Sequence, residues 1–367
     1  MEKLAIVLPT DAKLEKLQKA GLLARWKFYL SEMSKHFNVE VYSCDTMDYS
    51  KELNLKHFRL PFSLNGLYFG NQLLYNLYLL CKAKGMPRII RVFGVGYFIL
   101  PAIKKLFKKT IVISHHYDYA TTTVVDFGGM KGLTAKYRQN SSLNAADTVI
   151  TTTHELYNSV KREHGKDAVI IPNFVDTSKF FPKNKENTIL YAGRVYWIKG
   201  IEYLIKAFAR VEKQFDVNLV LVGLGEIDNY RSMASELGVR NITFPGAIDN
   251  NLMADVIGRA KIFVLPTVTR EGHPKALIEA MASGCACIAT NVPGNRELIK
   301  DGENGLLVNP KDEKSLAQAM GKLLNDDKLR IKLSESAVIT SKQFALENTL
   351  YKEIRLLTKL IPEGANS

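Results

Sequence analysis

The chain of 367 residues has no apolar run long enough to cross a bilayer: the best candidate, Leu73–Cys81, is too short and contains Asn76. Cysteine is scarce too. The four cysteines, at 44, 81, 285 and 287, form neither a disulfide framework nor a four-ligand zinc pattern, which excludes a small stapled scaffold. Cys285 and Cys287 alternate as on a strand and read as small core residues in a reducing compartment. Internal repeats and low-complexity tracts are missing, so a solenoid or a disordered chain is excluded. The opening MEKLAIVLPTDAKLEK carries no signal-peptide cleavage pattern, so the expected location is cytoplasmic.

Acidic residues are under-represented in one half. Residues 1–150 carry 21 Lys and Arg against 11 Asp and Glu, an excess of +10 within a total of +13. Such asymmetry predicts an acidic partner for the N-terminal half, either an anionic membrane surface or an anionic acceptor, although the same charges also serve solubility. The cations are interleaved with Leu, Phe and Trp in Lys13–Lys27 and Lys104–Lys109. LPAIKKLFKK is expected to lie on the inner face of an anionic bilayer, peripherally, with Leu106 and Phe107 inserted. No nucleic-acid-binding module is recognisable, and nucleic acid is not expected as a partner.

What is present reads as an α/β protein. Hydrophobic content of 46% and 10% aromatics belong to a folded chain, and the length suits two domains. Strand-like runs at Leu4–Pro9, Val39–Ser43, Ile89–Phe93 and Thr110–Ser114 alternate with helical patterns at about Ala20–His36, Gln72–Lys82 and Tyr97–Phe107. This alternation predicts a parallel sheet covered on both faces, with ligands at the C-terminal strand ends. His115 and His116 follow one such strand, without carboxylates or cysteines at metal-ligand spacing.

The second half repeats the pattern. In TILYAGRVYWIKGIEYLIKAF a strand to Ala192 delivers Gly193 and Arg194 into a loop, and Lys199 and Gly200 open the next helix; an Arg fork suits phosphate oxygens. Leu265–Thr290 reads as a strand ending near Pro266, a polar loop, a helix from Pro274 to Ser283 and a strand from Cys285 to Ala289. Glu271 stands at the helix mouth, where unpaired amides favour anions, and Glu279 lies within the helix. By spacing alone, Lys275, Glu279 and Ser283 also describe a solvated helix stripe.

EGHPKALIEAMASGCACIAT followed by NVPGNRELI resembles the donor-site signature of the retaining glycosyltransferases of family 4, two glutamates separated by seven residues, here Glu271 and Glu279. The resemblance implies a GT-B fold: two Rossmann-like doubly wound domains with an interdomain cleft, here residues 1–182 and 183–341, and a helix in 342–367 crossing back to the first domain. It implies Arg194 and Lys199 on the donor diphosphate, Glu271 on the sugar, and Glu279 on the ribose. Gly193, Gly246, Gly272, His273 and Pro274 would line the donor, with Gly246 in NITFPGAIDNN beside the base. Gly21 stands where the family has a glycine-rich turn, and His116, with His115 as alternate, where it has a histidine near the reacting sugar. His116, Glu271, Arg194 and Lys199 are the implied catalytic set.

No Asp-x-Asp motif is present, and neither a metal nor another cofactor is expected. The implied reaction moves a sugar from a UDP- or GDP-sugar to a hydroxyl acceptor, a glycan or lipid-linked precursor. A nucleotide-sugar epimerase of the same architecture and a non-catalytic sugar-nucleotide-binding protein are the alternatives.

Overall fold

The computed structural model describes residues 1–9, 13–19, 23–63, 68–116 and 129–361. The chain forms two units, Met1–Ile171 with Leu350–Ser367, and Pro172–Thr349. No helix among the described residues is long and apolar enough to cross a membrane.

The first unit is built on seven parallel strands: β1 (Lys3–Val7), β2 (Asn38–Tyr42), β3 (Lys56–Phe58), β4 (Ile89–Phe93), β5 (Thr110–His115), β6 (Thr148–Thr151) and β7 (Ala168–Ile170), ordered β3-β2-β1-β4-β5-β6-β7. Continuous apolar runs form the central strands because both faces are covered; Leu4, Ala5, Ile6 and Val7 of β1 are all buried. Each crossover needs a helix, and Tyr68–Lys82, Leu100–Phe107 and Gly129–Ala145 supply three of them. Tyr75, Leu79, Leu100, Ile103 and Leu143 from these helices share one core with β1, β4 and β5. Thr153 caps helix His154–His164 by accepting the Leu156 amide at 3.2 Å, and Gly165 ends it at φ 61°.

The second unit has six parallel strands, β8 (Glu186–Ala192), β9 (Asn218–Val222), β10 (Ile242–Gly246), β11 (Ala260–Leu265), β12 (Ala286–Thr290) and β13 (Leu306–Val308), ordered β10-β9-β8-β11-β12-β13. Counted within each unit, both follow the Rossmann-like order 3-2-1-4-5-6, the first with a seventh strand added at the end, so both units are doubly wound as expected. The winding reverses direction beside β1 in one unit and beside β8 in the other.

The division falls after Ile171, ahead of the polar run Lys183–Asn187. Backbone pairing explains it: Val175 donates to the Phe344 carbonyl at 2.9 Å, Leu346 donates to the Val175 carbonyl at 3.0 Å, and Phe180 sits in the second unit's core. The final helix, Leu346–Lys359, enters the first unit from Leu350 onward.

The helix Leu100–Phe107 departs from its sequence reading. Phe107 packs against the first unit's core, Lys104 pairs with Asp147 at 2.7 Å, and Lys109 donates to the Met86 carbonyl. Pro101, Lys105, Leu106 and Lys108 are exposed, whereas Phe107 is half-buried against that core, so Leu106 and Phe107 do not form one exposed pair.

Candidate functional site

The C-terminal edge of the second sheet gathers five loops through backbone contact. After β8, Gly193 donates to the Val222 carbonyl at 2.9 Å and Val195 to the Leu224 carbonyl at 2.8 Å, which seals the β8 loop to the β9 loop. Gly223 donates to Gly246 at 2.8 Å, bringing in the end of β10. Val268, beyond β11, donates to the Ile198 carbonyl at 3.0 Å and so meets the short turn Trp197–Lys199.

Four glycines, Gly200, Gly223, Gly225 and Gly294, permit this closeness, as two of them illustrate. A Cβ on Gly223, whose φ is +147°, would lie 1.7 Å from the Gly193 carbonyl oxygen. One on Gly294 would lie 1.9 Å from the Gly272 carbonyl and 2.6 Å from that of Glu271. No side chain fits at either point.

Within this frame Lys199 forms an ion pair with the Glu271 carboxylate, the two side chains being 16% and 12% exposed. Thr267 donates its hydroxyl to the same oxygen, Glu271 Oε1, at 2.7 Å. Behind it runs a buried relay: Thr290 Oγ1 donates to the Thr267 carbonyl at 2.6 Å, and Asn295 Nδ2 donates to the Thr290 carbonyl at 2.9 Å. Glu271 is thus held by two groups, Lys199 from the β8 loop and Thr267 from its own loop, the kind of preorganisation that electrostatic catalysis requires. Tyr191 of β8 feels the same site. Burial raises its phenol far above the usual value, the Glu271 charge adds to this, and Arg194 opposes it. Its hydroxyl donates to the Arg194 carbonyl at 2.6 Å, fixing the backbone of that exposed residue.

The helix Lys275–Ala282 begins at Pro274 and ends ahead of Gly284, whose φ is +67°. Glu279 and Ser283 are buried, so the solvated-stripe reading fails: that face is turned into the protein. Lys275 lies over the Phe174 ring at 5.2 Å. His273 is buried, its ring edge-on to Phe344 at 5.1 Å, and its Nδ1 has no hydrogen-bond partner. Burial lowers its pKa to about 4, so the imidazole is neutral near pH 7 and adds no positive charge for a phosphate.

Gly193, Arg194, Lys199, Gly246, Glu271, Gly272, His273, Pro274 and Glu279 all belong to the second unit. Hydrogen bonds join the segments carrying Gly193, Gly246, Lys199 and Glu271. His116 belongs to the first unit. It follows β5 directly, is half-buried, and its carbonyl accepts the Thr152 hydroxyl at 3.3 Å, whereas His115 is buried within the strand opposite Thr151. Of the two, His116 has the more open side chain. Gly21 lies outside the described residues. Sequence reasoning missed Tyr191, Thr267, Thr290, Gly294 and Asn295. Thr267 had one local signal, a hydroxyl two residues past a buried strand, but nothing in the sequence announced the relay behind it.

Two doubly wound units, one with a cation–carboxylate cluster where glycine-bearing loops meet, place the chain among the Rossmann-like α/β proteins. The family comparison is more specific. Residues 174–338 match the model for glycosyl transferases group 1, and residues 30–179 match that for glycosyltransferase family 4. A phosphatidyl-myo-inositol mannosyltransferase from Mycolicibacterium smegmatis is 33% identical over 176 residues, covering 45% of this chain and 45% of that relative. The chain thus matches less than half the length of that relative.

Among solved structures, sucrose-phosphate synthase from Thermosynechococcus elongatus superposes with a TM-score of 0.78 at 20% identity, covering 98% of this chain and 99% of the other. Anabaena HepE, in complex with UDP and glucose, gives 0.77 at 16% identity, covering 98% and 100%. At such identities the likeness shows the fold. The chain belongs to the group 1, family 4 glycosyltransferases, and its fold is GT-B, with two Rossmann-like units.

Proposed function

We propose that the protein is a retaining, metal-independent glycosyltransferase that moves a sugar from a UDP- or GDP-sugar to a hydroxyl of a glycan or lipid-linked acceptor. The observation that carries this reading is the Thr267–Glu271–Lys199 cluster beside the start of helix Lys275–Ala282. In the reaction the bond from anomeric carbon to diphosphate oxygen breaks, and its electron pair leaves with the diphosphate. The acceptor oxygen bonds to that carbon on the same face, and the acceptor proton passes to the departing phosphate oxygen.

Charge builds on the leaving oxygens as the transition state forms, and fixed cations there accelerate the step. Lys199 and Arg194 supply them, Lys199 exchanging its carboxylate partner for phosphate. Glu271, once released, accepts from the sugar hydroxyls while Thr267 keeps it oriented. Buried Glu279 accepts from the ribose hydroxyls, and the backbone around Gly246 lies beside the base. The role of His116 near the reacting sugar rests on the resemblance alone.

Support for the donor class comes from the HepE structures, which hold UDP, glucose and UDP-glucose. Support for a lipid-linked acceptor comes from the mannosyltransferase relative, whose name specifies phosphatidyl-myo-inositol. The test is mass spectrometry of products from a panel of UDP- and GDP-sugars, with and without lipid-linked and soluble acceptors, before and after EDTA. A glycosylated acceptor with the donor's anomeric configuration, formed undiminished after chelation, is expected. An altered sugar released without acceptor indicates an epimerase, and tight donor binding without turnover a sensor; either result overturns the proposal. Metal-reversible loss overturns metal independence.

A further inference from the structure

Two further helices of the first unit carry exposed apolar side chains, and one of them, Gly129–Ala145, packs against the lysine-rich helix Leu100–Phe107. On helix Tyr68–Lys82, Leu73 and Leu77 are 49% and 45% exposed at i, i+4, and Cys81 continues the stripe at i+8, also exposed. On helix Gly129–Ala145, Leu133 and Tyr137 are 74% and 69% exposed, again at i, i+4. The Arg138 guanidinium donates to the Gln72 side chain, which sets the two helices side by side at the level of these residues. Both helices also pack against one core on the same sheet face. Crossover helices run back from the C-terminal strand ends, and Leu73 and Leu133 fall in the first half of theirs, toward the edge where such sheets bind ligands, with Leu77 and Tyr137 about one turn further on.

Charge identifies the occupant. Between Glu52 and Asp118 there is no Asp or Glu, while ten Lys and Arg occur. Of these, Lys56, Arg59, Lys82, Lys84, Arg88, Lys105 and Lys108 are exposed, and Lys136 stands exposed between Leu133 and Tyr137. A second copy of the chain would set cations against cations. An anionic bilayer satisfies both features, since leucines and a tyrosine enter the headgroup–acyl boundary while the surrounding cations meet lipid phosphates. We propose that the first unit docks on anionic membrane through the faces of Tyr68–Lys82 and Gly129–Ala145 that carry Leu73, Leu77, Leu133 and Tyr137. This deepens the proposed function: it rests on that reading for its purpose, holding the enzyme in the plane of a lipid-linked acceptor.

Cys81 gives a direct probe, because Cys44, Cys285 and Cys287 are buried. An environment-sensitive fluorophore on Cys81 is expected to shift to the blue with phosphatidylglycerol–phosphatidylcholine vesicles, to stay unshifted with phosphatidylcholine alone, and to revert as salt rises. Leu73→Ser with Leu133→Ser should lower co-sedimentation with the anionic vesicles by about tenfold or more. UDP or GDP binding to the same variant by calorimetry should be unchanged, which confirms folding and separates this proposal from the donor-site reading. Three results overturn it: no binding by the native chain at low salt, no blue shift at Cys81 with the anionic vesicles, or a lipid-free dimer that the leucine variant dissociates.

Discussion

In each unit one ion pair with a glutamate is largely covered on both sides, Arg91–Glu353 in the first and Lys199–Glu271 in the second, and the two pairs are built for opposite ends. In the first, Arg91 of β4 and Glu353 of the last helix, 1% and 9% exposed, meet at 2.6 Å. Tyr29 donates to the same carboxylate oxygen at 2.8 Å, Arg91 also donates to the Val92 carbonyl at 2.8 Å, and its guanidinium lies 4.1 Å from the Phe93 ring centre. Such a pair has nowhere to go. In the second, Lys199 and Glu271 sit at loop ends, partly open, with Thr267 holding only the carboxylate. The lysine is then free to exchange one anion for another. Burial with every partner supplied makes an ion pair a clasp; partial exposure with one side anchored suits the receptor role proposed for Lys199 and Glu271.

The sharpest way to break this comparison is Glu353→Ala, which leaves Arg91 buried and unpaired. A loss of about 3–5 kcal/mol in unfolding free energy is expected. Denaturant titration measures it, and a loss no larger than that of an exposed ion pair would make the clasp ornamental. Acid tests the second unit next. Because His273 is buried neutral with a pKa near 4, against about 6.5 when unfolded, the unfolded state binds more protons between those values. Stability is therefore full above pH 6.5 and falls by up to about 1.4 kcal/mol per pH unit on the way down to pH 4. His273→Phe should flatten that part of the profile, as read by thermal unfolding across pH.

Lys199→Ala comes third. Nucleotide-diphosphate affinity should drop by about 1.5–3 kcal/mol, roughly ten- to a hundredfold, with the melting temperature little changed. Unchanged affinity in calorimetry would remove the receptor from the comparison. The smallest effect is expected for Thr267→Val. Losing one hydrogen bond to Glu271 should cost about 1 kcal/mol in kcat/KM, with nucleotide affinity intact. Equal loss in both would mean that Thr267 supports the fold instead of orienting the carboxylate.

Much of this molecule was legible in one dimension. The alternation of apolar runs with helical periodicity marked the β1, β2, β4 and β5 strands to within a residue or two, because burial on both sheet faces leaves a continuous local signal. Three-residue β3 left none. The EGHPKALIE segment marked the carboxylate site, because one short loop and helix carry most of it.

Tertiary structure decided what depends on distant partners or on which face is covered. Arg91 and Glu353 lie 262 positions apart, and Thr290 and Asn295 reach Glu271 only through Thr267. Spacing allowed Glu279 a solvated face, and packing buried it. The sequence read Leu106 and Phe107 as a membrane-facing pair; packing half-buried Phe107 and left Leu106 exposed, along with Leu73, Leu77, Leu133 and Tyr137. Periodicity states that a helix has an apolar side. Only the fold states whether another element covers it.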